Sequence, residues 1–186
     1  MMRGENFPPR SLIGGRNGHR EITLNGKHIT TLKELLRPDL KAVFVGLNPA
    51  QKSVERGHYY QGTQGRQFWN LLGSYDICSN LPRGSEDDAA FQQGFGFADL
   101  ARRPTAKGTQ VTKKEKCEGI DDLIDRLKSI PGRPLVIFRY KEPWKLSKER
   151  LERMGYRVLR MPSPGEPREA VRETMNNLRT TLRLAG

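Results

Sequence analysis

The sequence has few cysteines and no long apolar segment. Its two cysteines, Cys78 and Cys117, are far apart and belong to no Cys-x-x-Cys pair. A disulfide scaffold and a structural zinc site are therefore not expected, and two free thiols fit a reducing compartment. No apolar run approaches the roughly 18 residues that span a bilayer, and residues 1–10 lack the apolar core of a secretory signal. We expect a cytoplasmic protein, nucleoid-associated if bacterial, with no membrane partner.

Acidic residues are scarce relative to basic ones. Lys and Arg total 33 against 21 Asp and Glu, which gives a formal net charge of +12. This excess predicts attraction to a polyanion such as DNA, and the alternative is a basic surface with no committed partner. Contacts with the phosphate backbone would account for this charge by themselves. The charge therefore does not indicate whether the protein recognises a particular base sequence.

The chain divides into a short arm and one domain. Residues 1–20 are rich in Gly, Arg and Pro without a period, which predicts a basic N-terminal arm. Residues 21–186 are expected to form a single α/β domain, because a chain of 186 residues suits one domain, and we expect a monomer. This domain opens with an alternating pattern over 21–31 around Asn25-Gly26, which predicts a β-hairpin.

Strands then alternate with helices. Near-continuous apolar runs, typical of buried parallel strands, cover residues 41–48, the start of 96–111, 134–138 and 156–161. Helical patterns cover residues 31–37 with Thr31 as N-cap, 66–75, 85–95, 112–129 with a Thr112/Glu115 capping box, 147–154 and 169–184. The stretch over 50–65 predicts a long loop. This order favours a three-layer α/β/α sandwich with a central, mainly parallel sheet.

Three polar segments follow the predicted strands. They read LNPAQKSVERGHYYQG (47–62), LARRPTAKGTQ (100–110) and MPSPGEPR (161–168). Ligands of open parallel sheets bind beyond the carboxyl ends of the strands. We therefore expect these segments to converge on one crevice.

Asn48-Pro49 stands at the tip of the first of these strands. An Asn-Pro pair is an ordinary turn element, and that is the simpler interpretation. The other interpretation is catalytic: a carboxamide accepts a hydrogen bond from water, although it takes no proton at neutral pH.

Four blocks in order favour the catalytic interpretation. GLNPA (46–50), GHYYQGTQGRQFW (57–69), ADLARRPTA (98–106) and MPSPG (161–165) together resemble the uracil-DNA glycosylase superfamily, specifically its mismatch-specific branch that includes thymine-DNA glycosylases. The resemblance implies the α/β/α sandwich inferred above. It also implies hydrolysis of the N-glycosidic bond of a uracil flipped out of DNA, leaving an abasic site, with no metal and no organic cofactor.

The resemblance implies roles for individual residues. Asn48 would position the attacking water, and Tyr60 would stack on the flipped base. The base would leave largely as an anion, because a carboxamide is a poor general base. Some branches carry a histidine where Met161 stands, and Met161 donates no hydrogen bond, so Ser163 or backbone N–H groups would support the departing base.

Other positions would contact the base or the DNA. Those implied around the base are Gly46, Leu47, Pro49, His58, Tyr59, Tyr60, Met161 and Pro162. Those implied on the DNA are Arg66, Arg102, Arg103, Lys107, Gly165, Pro167 and Arg168, with Arg168 as the candidate plug for the vacated stack and Pro167 as the apolar alternative. Arg139, Lys141 and Lys145 are expected to extend the basic face.

Two other functions compete with the glycosylase interpretation. A non-catalytic DNA-binding protein on the same scaffold would keep Tyr60 and the basic loops and would not need Asn48. A nucleotide-binding domain is disfavoured, because the sequence has neither a G-x-x-x-x-G-K-[ST] loop nor a G-x-G-x-x-G fingerprint. Within the glycosylase interpretation, the choice among uracil, thymine, hypoxanthine and modified uracils stays open.

Overall fold

A computed structural model describes residues 18–184, which open with the predicted hairpin. Strands β1 (His19–Leu24) and β2 (Lys27–Leu32) pair antiparallel and turn at Asn25-Gly26. Both turn residues have positive φ, 50° and 73°, the geometry that an Asn-Gly pair favours in a two-residue hairpin loop. Most of the predicted N-terminal arm lies outside the described residues, and its last two positions belong to β1.

The described residues build a central sheet of four parallel strands in the order β4-β3-β5-β6. The strands are β3 (Ala42–Gly46), β4 (Phe95–Asp99), β5 (Leu135–Phe138) and β6 (Val158–Arg160). Every residue of β3, β4 and β5 is buried. This explains their unbroken apolar pattern, because a strand covered on both faces has no solvent side.

Helices cover both faces of this sheet. They are α1 (Gln51–Arg56), α2 (Gly62–Ser74), α3 (Glu86–Gln92), α4 (Lys113–Lys128), α5 (Lys141–Arg153) and α6 (Arg168–Leu184). Phe44 of β3 packs in a cluster with α2, α3 and α6, whereas Val43 and Val45 pack with α4 and α5. The predicted α/β/α sandwich is confirmed. No helix within residues 18–184 is long and apolar enough to cross a membrane.

The predicted helix over 31–37 is wrong. Thr31 and Leu32 complete β2, and the Thr31 hydroxyl donates to the Arg102 carbonyl instead of capping a helix. Leu35 forms an antiparallel bridge with Phe97, with backbone hydrogen bonds of 2.9 and 3.0 Å in the two directions. The segment therefore covers the outer edge of β4, and this pairing outweighs the local helical preference of its leucines.

Two other boundaries differ from the prediction. The segment 50–65 is not one long loop, because it contains α1 and the first turn of α2. The helix predicted over 147–154 begins at Lys141, and Pro143 lies in its first turn. Proline is tolerated there, because the first N–H groups of a helix have no intrahelical partner. The capping box of α4 is as predicted, with the Thr112 hydroxyl accepting from the Glu115 N–H.

Two helical glycines give a matched test of this packing. A methyl group at Gly119 in α4 would lie 2.4 Å from the Leu100 carbonyl oxygen, whereas one at Gly73 in α2 would meet nothing within 4 Å. We expect Gly119→Ala to destabilise the protein by about 1–3 kcal/mol through overpacking. Gly73→Ala should stabilise it by about 0.5–1 kcal/mol. Urea unfolding measures both, and equal effects would contradict the close approach of α4 to the sheet.

Candidate active site

The carboxyl ends of three strands form the floor of a cavity. Gly46 ends β3 and is paired with Asp99 at the end of β4. Arg139 follows Phe138, the β5 partner of Val45, and its N–H donates to the Val45 carbonyl. Asp99, Gly46 and Arg139 thus form one row across the sheet and lie on one face, because side chains of paired residues point the same way.

Gly46 keeps the middle of this row open. A methyl group at this position would lie 2.2 Å from Asp99 Oδ1 and 3.5 Å from the Tyr60 hydroxyl oxygen. The Asp99 carboxyl therefore occupies the space that a Cβ atom would need at Gly46, and the Tyr60 hydroxyl lies next to that space. Asn48, Tyr59, Tyr60, Asp99, Arg139 and Tyr140 all line the cavity above it. The segment after β3 lines this cavity. The segment after β4 contributes no lining residue and reaches the site through its hydrogen bonds with Asn48.

The carboxamide of Asn48 has one fixed orientation. Its nitrogen donates to the Arg103 carbonyl at 3.0 Å, the Thr105 hydroxyl at 2.7 Å and the Pro49 carbonyl at 3.3 Å. Carbonyl oxygens only accept hydrogen bonds, so the nitrogen has to face them. The Thr105 hydroxyl in turn donates to the Lys107 carbonyl. Asn48 Oδ1 has no protein donor in the described part of the chain and is available to accept a hydrogen bond from water.

Tyr60 forms an aromatic wall of the cavity. Its ring centroid lies 4.3 Å from that of Phe68, and its carbonyl accepts from the Trp69 indole N–H at 3.1 Å. Its φ of 51° is in the left-handed region, which a bulky residue adopts only when its surroundings impose it. The hydroxyl is buried without a partner among residues 18–184. Burial, followed by the nearby Asp99, raises the pKa of Tyr60 well above its usual range.

His58 holds the tyrosine segment in place and does not line this cavity. Its Nδ1 lies 2.8 Å from Oδ1 of the fully buried Asp87, whose Oδ2 accepts from the Tyr59 N–H at 2.8 Å. His58, Asp87 and Asp88 place three potential metal-ligand atoms within 4.8 Å of one another. Since Asp87 already uses both oxygens to fix His58 and Tyr59, we assign this cluster to anchoring the loop on α3.

Asp99 is a site residue to which sequence reasoning gave no role. It is 4% exposed, and its Oδ2 has no hydrogen-bond partner in the described structure. Burial raises the pKa of Asp99 well above its usual range; Glu34 raises it further, and Arg126 opposes the shift. Buried carboxyl groups with raised pKa values are concentrated at functional sites. The available signal was its place at the end of a predicted strand, inside the block that carries the resemblance.

Arg139 was expected on a basic outer face, and that expectation is wrong. It is 7% exposed and lines the cavity. The reason is the alternation of side chains along β5. Arg139 lies two residues after Ile137, so its side chain is on the same face of the sheet, just beyond the end of the strand. Sequence reasoning grouped it with Lys141 and Lys145, which are exposed.

The segment after β6 approaches the site only in part. Pro162 is buried, and its carbonyl accepts a long bond of 3.4 Å from Arg139. Met161 is fully buried in the core, and Ser163 accepts a 3.4 Å bond from Arg160. Neither Met161 nor Ser163 lines the Asn48 cavity, and Leu47 packs on the opposite layer with α4 and α5.

Two of the arginines expected on DNA are held by carboxylates. Arg102 forms a two-bond pair with Asp122 at 2.9 and 3.0 Å. Arg103 pairs with Glu115, and this bond lowers the pKa of Glu115 to about 2. Both pairs tie the loop after β4 to α4, so these arginines position the loop that orients Asn48.

The remaining positions expected on DNA are at the surface. Gly165 is an exposed turn residue with a φ of 83°, and Glu166 beside it pairs with Arg160 at 2.8 Å. The exposed side chains that stay candidates for phosphate or groove contacts are Arg66, Lys107, Pro167 and Arg168.

Comparison with known protein families identifies the class of this chain. Residues 34–178, more than half of its length, match the Uracil DNA glycosylase superfamily. The chain therefore belongs to that superfamily, whose members' activity is that of DNA glycosylases, enzymes of base excision repair. The matched region contains the four-stranded sheet and every cavity-lining residue named above.

The raised pKa of Asp99 predicts a pH-dependent stability. The folded protein keeps this proton at pH values where the unfolded chain has lost it, so stability falls as pH rises from about 4 towards the folded pKa, by about 1.4 kcal/mol per unit. Asp99→Asn removes this penalty. Its stability relative to the unmodified protein should therefore increase between pH 4 and pH 7.5, as measured by urea unfolding.

The control is Asp125→Asn, which removes an exposed carboxyl from α4. The groups that face Asp99 are Glu34, Arg126 and Tyr60. A stability difference for Asp99→Asn that is constant across the pH range would contradict the buried, proton-holding carboxyl.

Proposed function

We propose that this protein is a monofunctional, monomeric glycosylase that hydrolyses the N-glycosidic bond of uracil in DNA and leaves an abasic site. The observation that carries the proposal is the fixed carboxamide of Asn48. Its Oδ1 accepts no hydrogen bond from residues 18–184, and Asn48 lines the same cavity as Tyr60. Such an acceptor can hold a water molecule in a single orientation. Holding a nucleophile in place supplies a large part of the rate in reactions of this kind.

The cavity also offers a proton acceptor. Asp99 is the one carboxylic side chain that lines it among the residues described. Because its pKa is raised, its carboxylate is a better base than an exposed one. In the proposed reaction, Asn48 orients the water and Asp99 receives its proton as the water oxygen bonds to the sugar carbon. This adds a general base to the mechanism expected from the sequence, which relied on the carboxamide alone.

The surroundings suit a flat, uncharged base. Tyr59 and Tyr60 line the cavity, and the buried Phe68 ring packs against Tyr60. An aromatic surface of this kind offers about 1–3 kcal/mol of stacking per base. The buried Tyr60 hydroxyl lacks a partner in the described chain, and such groups are costly unless a ligand satisfies them. Uracil presents adjacent N–H and carbonyl groups that would do so. A net charge of +12 supports DNA as the carrier of the base.

Asn48→Ala tests the enzymatic assignment. We expect it to lower single-turnover excision of uracil from a U·G duplex by about 100-fold or more, the cost of a lost positioning group. Affinity for the duplex should stay within a few-fold, because the phosphate contacts are untouched. Alkaline cleavage of abasic sites in labelled U·G, U·A, T·G and hypoxanthine duplexes measures excision, and anisotropy measures binding. Binding with no excision by the unmodified protein would instead support a DNA-binding module.

Asp99→Asn tests the general base. A base works only when ionised, so the excision rate of the unmodified protein should rise with pH up to the raised pKa of Asp99 and then level off. Asp99→Asn should be slower and lack this rise. The Asp125→Asn variant serves as control and should keep the profile. An unchanged profile in Asp99→Asn would show that this carboxyl does not take the proton.

A further inference from the structure

Arg139 is a buried cation for which residues 18–184 supply no anionic partner. Its guanidinium makes one long hydrogen bond, 3.4 Å, to the Pro162 carbonyl, and no carboxylate within residues 18–184 lies at ion-pair distance. A guanidinium has five N–H donors and stays charged in proteins. Buried charges are ordinarily paired or coordinated. An uncompensated one that lines a cavity therefore points to an anionic ligand or transition state.

The neighbours of the Arg139 guanidinium hold it in place without neutralising its charge. The guanidinium carbon lies 5.7 Å from the Phe68 ring centroid and 5.2 Å from that of Tyr140. These contacts fix the planar group by cation–π attraction and leave its positive charge intact. Asp99 stands on the other side of Gly46 and forms no ion pair with it, although both line one cavity.

The row across the sheet is thus asymmetric in charge. The carboxyl of Asp99 lies at β4, and the Asn48 amide is tied to the Arg103 and Thr105 positions that follow β4. The guanidinium of Arg139 lies at the opposite end of the row, after β5. Cleavage of a glycosidic bond makes the sugar cationic and the base anionic. The row matches this separation if the sugar and water lie at the β4 side and the base lies at the β5 side.

We propose that Arg139 is a catalytic residue that donates hydrogen bonds to the departing base and stabilises the negative charge developing on it. The inference rests on the proposed glycosylase function. The bond between the sugar carbon and the base nitrogen breaks with its electron pair remaining on the base, where the charge spreads to the carbonyl oxygens. The water oxygen bonds to the sugar carbon, its proton passes to Asp99, and the released base takes a proton from solvent.

This assignment supplies a group that the segment after β6 does not provide. Met161 is buried in the core and Ser163 does not line the cavity. Arg139 lies against the same segment through the Pro162 carbonyl. The positive charge therefore comes from the β5 end, next to the place where the sequence had suggested Ser163.

The experiment measures single-turnover excision of uracil and of the more acidic 5-fluorouracil by Arg139→Gln and Arg139→Lys. Loss of a charge-stabilising donor should slow uracil excision about 100-fold in Arg139→Gln. The loss of rate should be at least several-fold smaller for 5-fluorouracil, because the anion of this more acidic base needs less stabilisation by the protein. Arg139→Lys keeps the charge and should recover part of the uracil rate. Arg153→Gln removes an exposed arginine at the end of α5, outside the cavity and the expected DNA contacts. It is the matched control and should behave like the unmodified protein.

The outcomes separate this inference from the proposed function. Equal losses for both bases, or no loss in Arg139→Gln, would overturn the role of Arg139. The proposed function would still stand in that case if the unmodified protein excises uracil. No excision of either base by the unmodified protein would overturn both. If Arg139→Gln fails to fold, as judged by circular dichroism, Arg139→Met keeps the aliphatic packing against Phe68 and Tyr140. The same unequal losses are expected for it.

Discussion

The site depends on the hydrogen bonds from the Asn48 amide nitrogen to the Arg103 carbonyl and the Thr105 hydroxyl. They join the segment after β3 to the segment after β4 and determine which atom of the carboxamide is left for water. The β4 segment is itself fixed to α4 by the Arg103–Glu115 pair. An amide free to rotate would present N–H groups where an acceptor is needed, so these distant contacts control the chemistry.

The cavity floor is built at a cost to folding. An acid and a cation that do not neutralise each other are buried on either side of Gly46, and buried unpaired charge is destabilising. On the same face of the sheet, the row two residues earlier consists of Phe97, Phe44 and Ile137, which are fully buried. Burial of this apolar core offsets the free-energy cost of the buried polar groups at the cavity floor. Such unfavourable local choices in a sequence are concentrated at functional sites.

Much of the fold was accessible from local pattern. The hairpin turn, the buried strands and the capping box of α4 each depend on residues close together in the chain, and their predictions are confirmed. The helix over 31–37 failed for a non-local reason. The backbone of Leu35 pairs with the edge of β4 at Phe97, a residue far away in the sequence. Pattern within seven residues contains no information about such an edge.

The sequence by itself determined the alternation of strands and helices. It also determined that Asn48 and Tyr60 lie in the segment that follows a buried strand. Only the tertiary structure decided that Asp99 and Arg139 face the cavity, that Arg102 and Arg103 are engaged by α4, and that Ser163 stands apart. The physical reason is that a side chain beyond the end of a strand takes its direction from the row it continues. That row is set by the register of neighbouring strands, which meet only after folding.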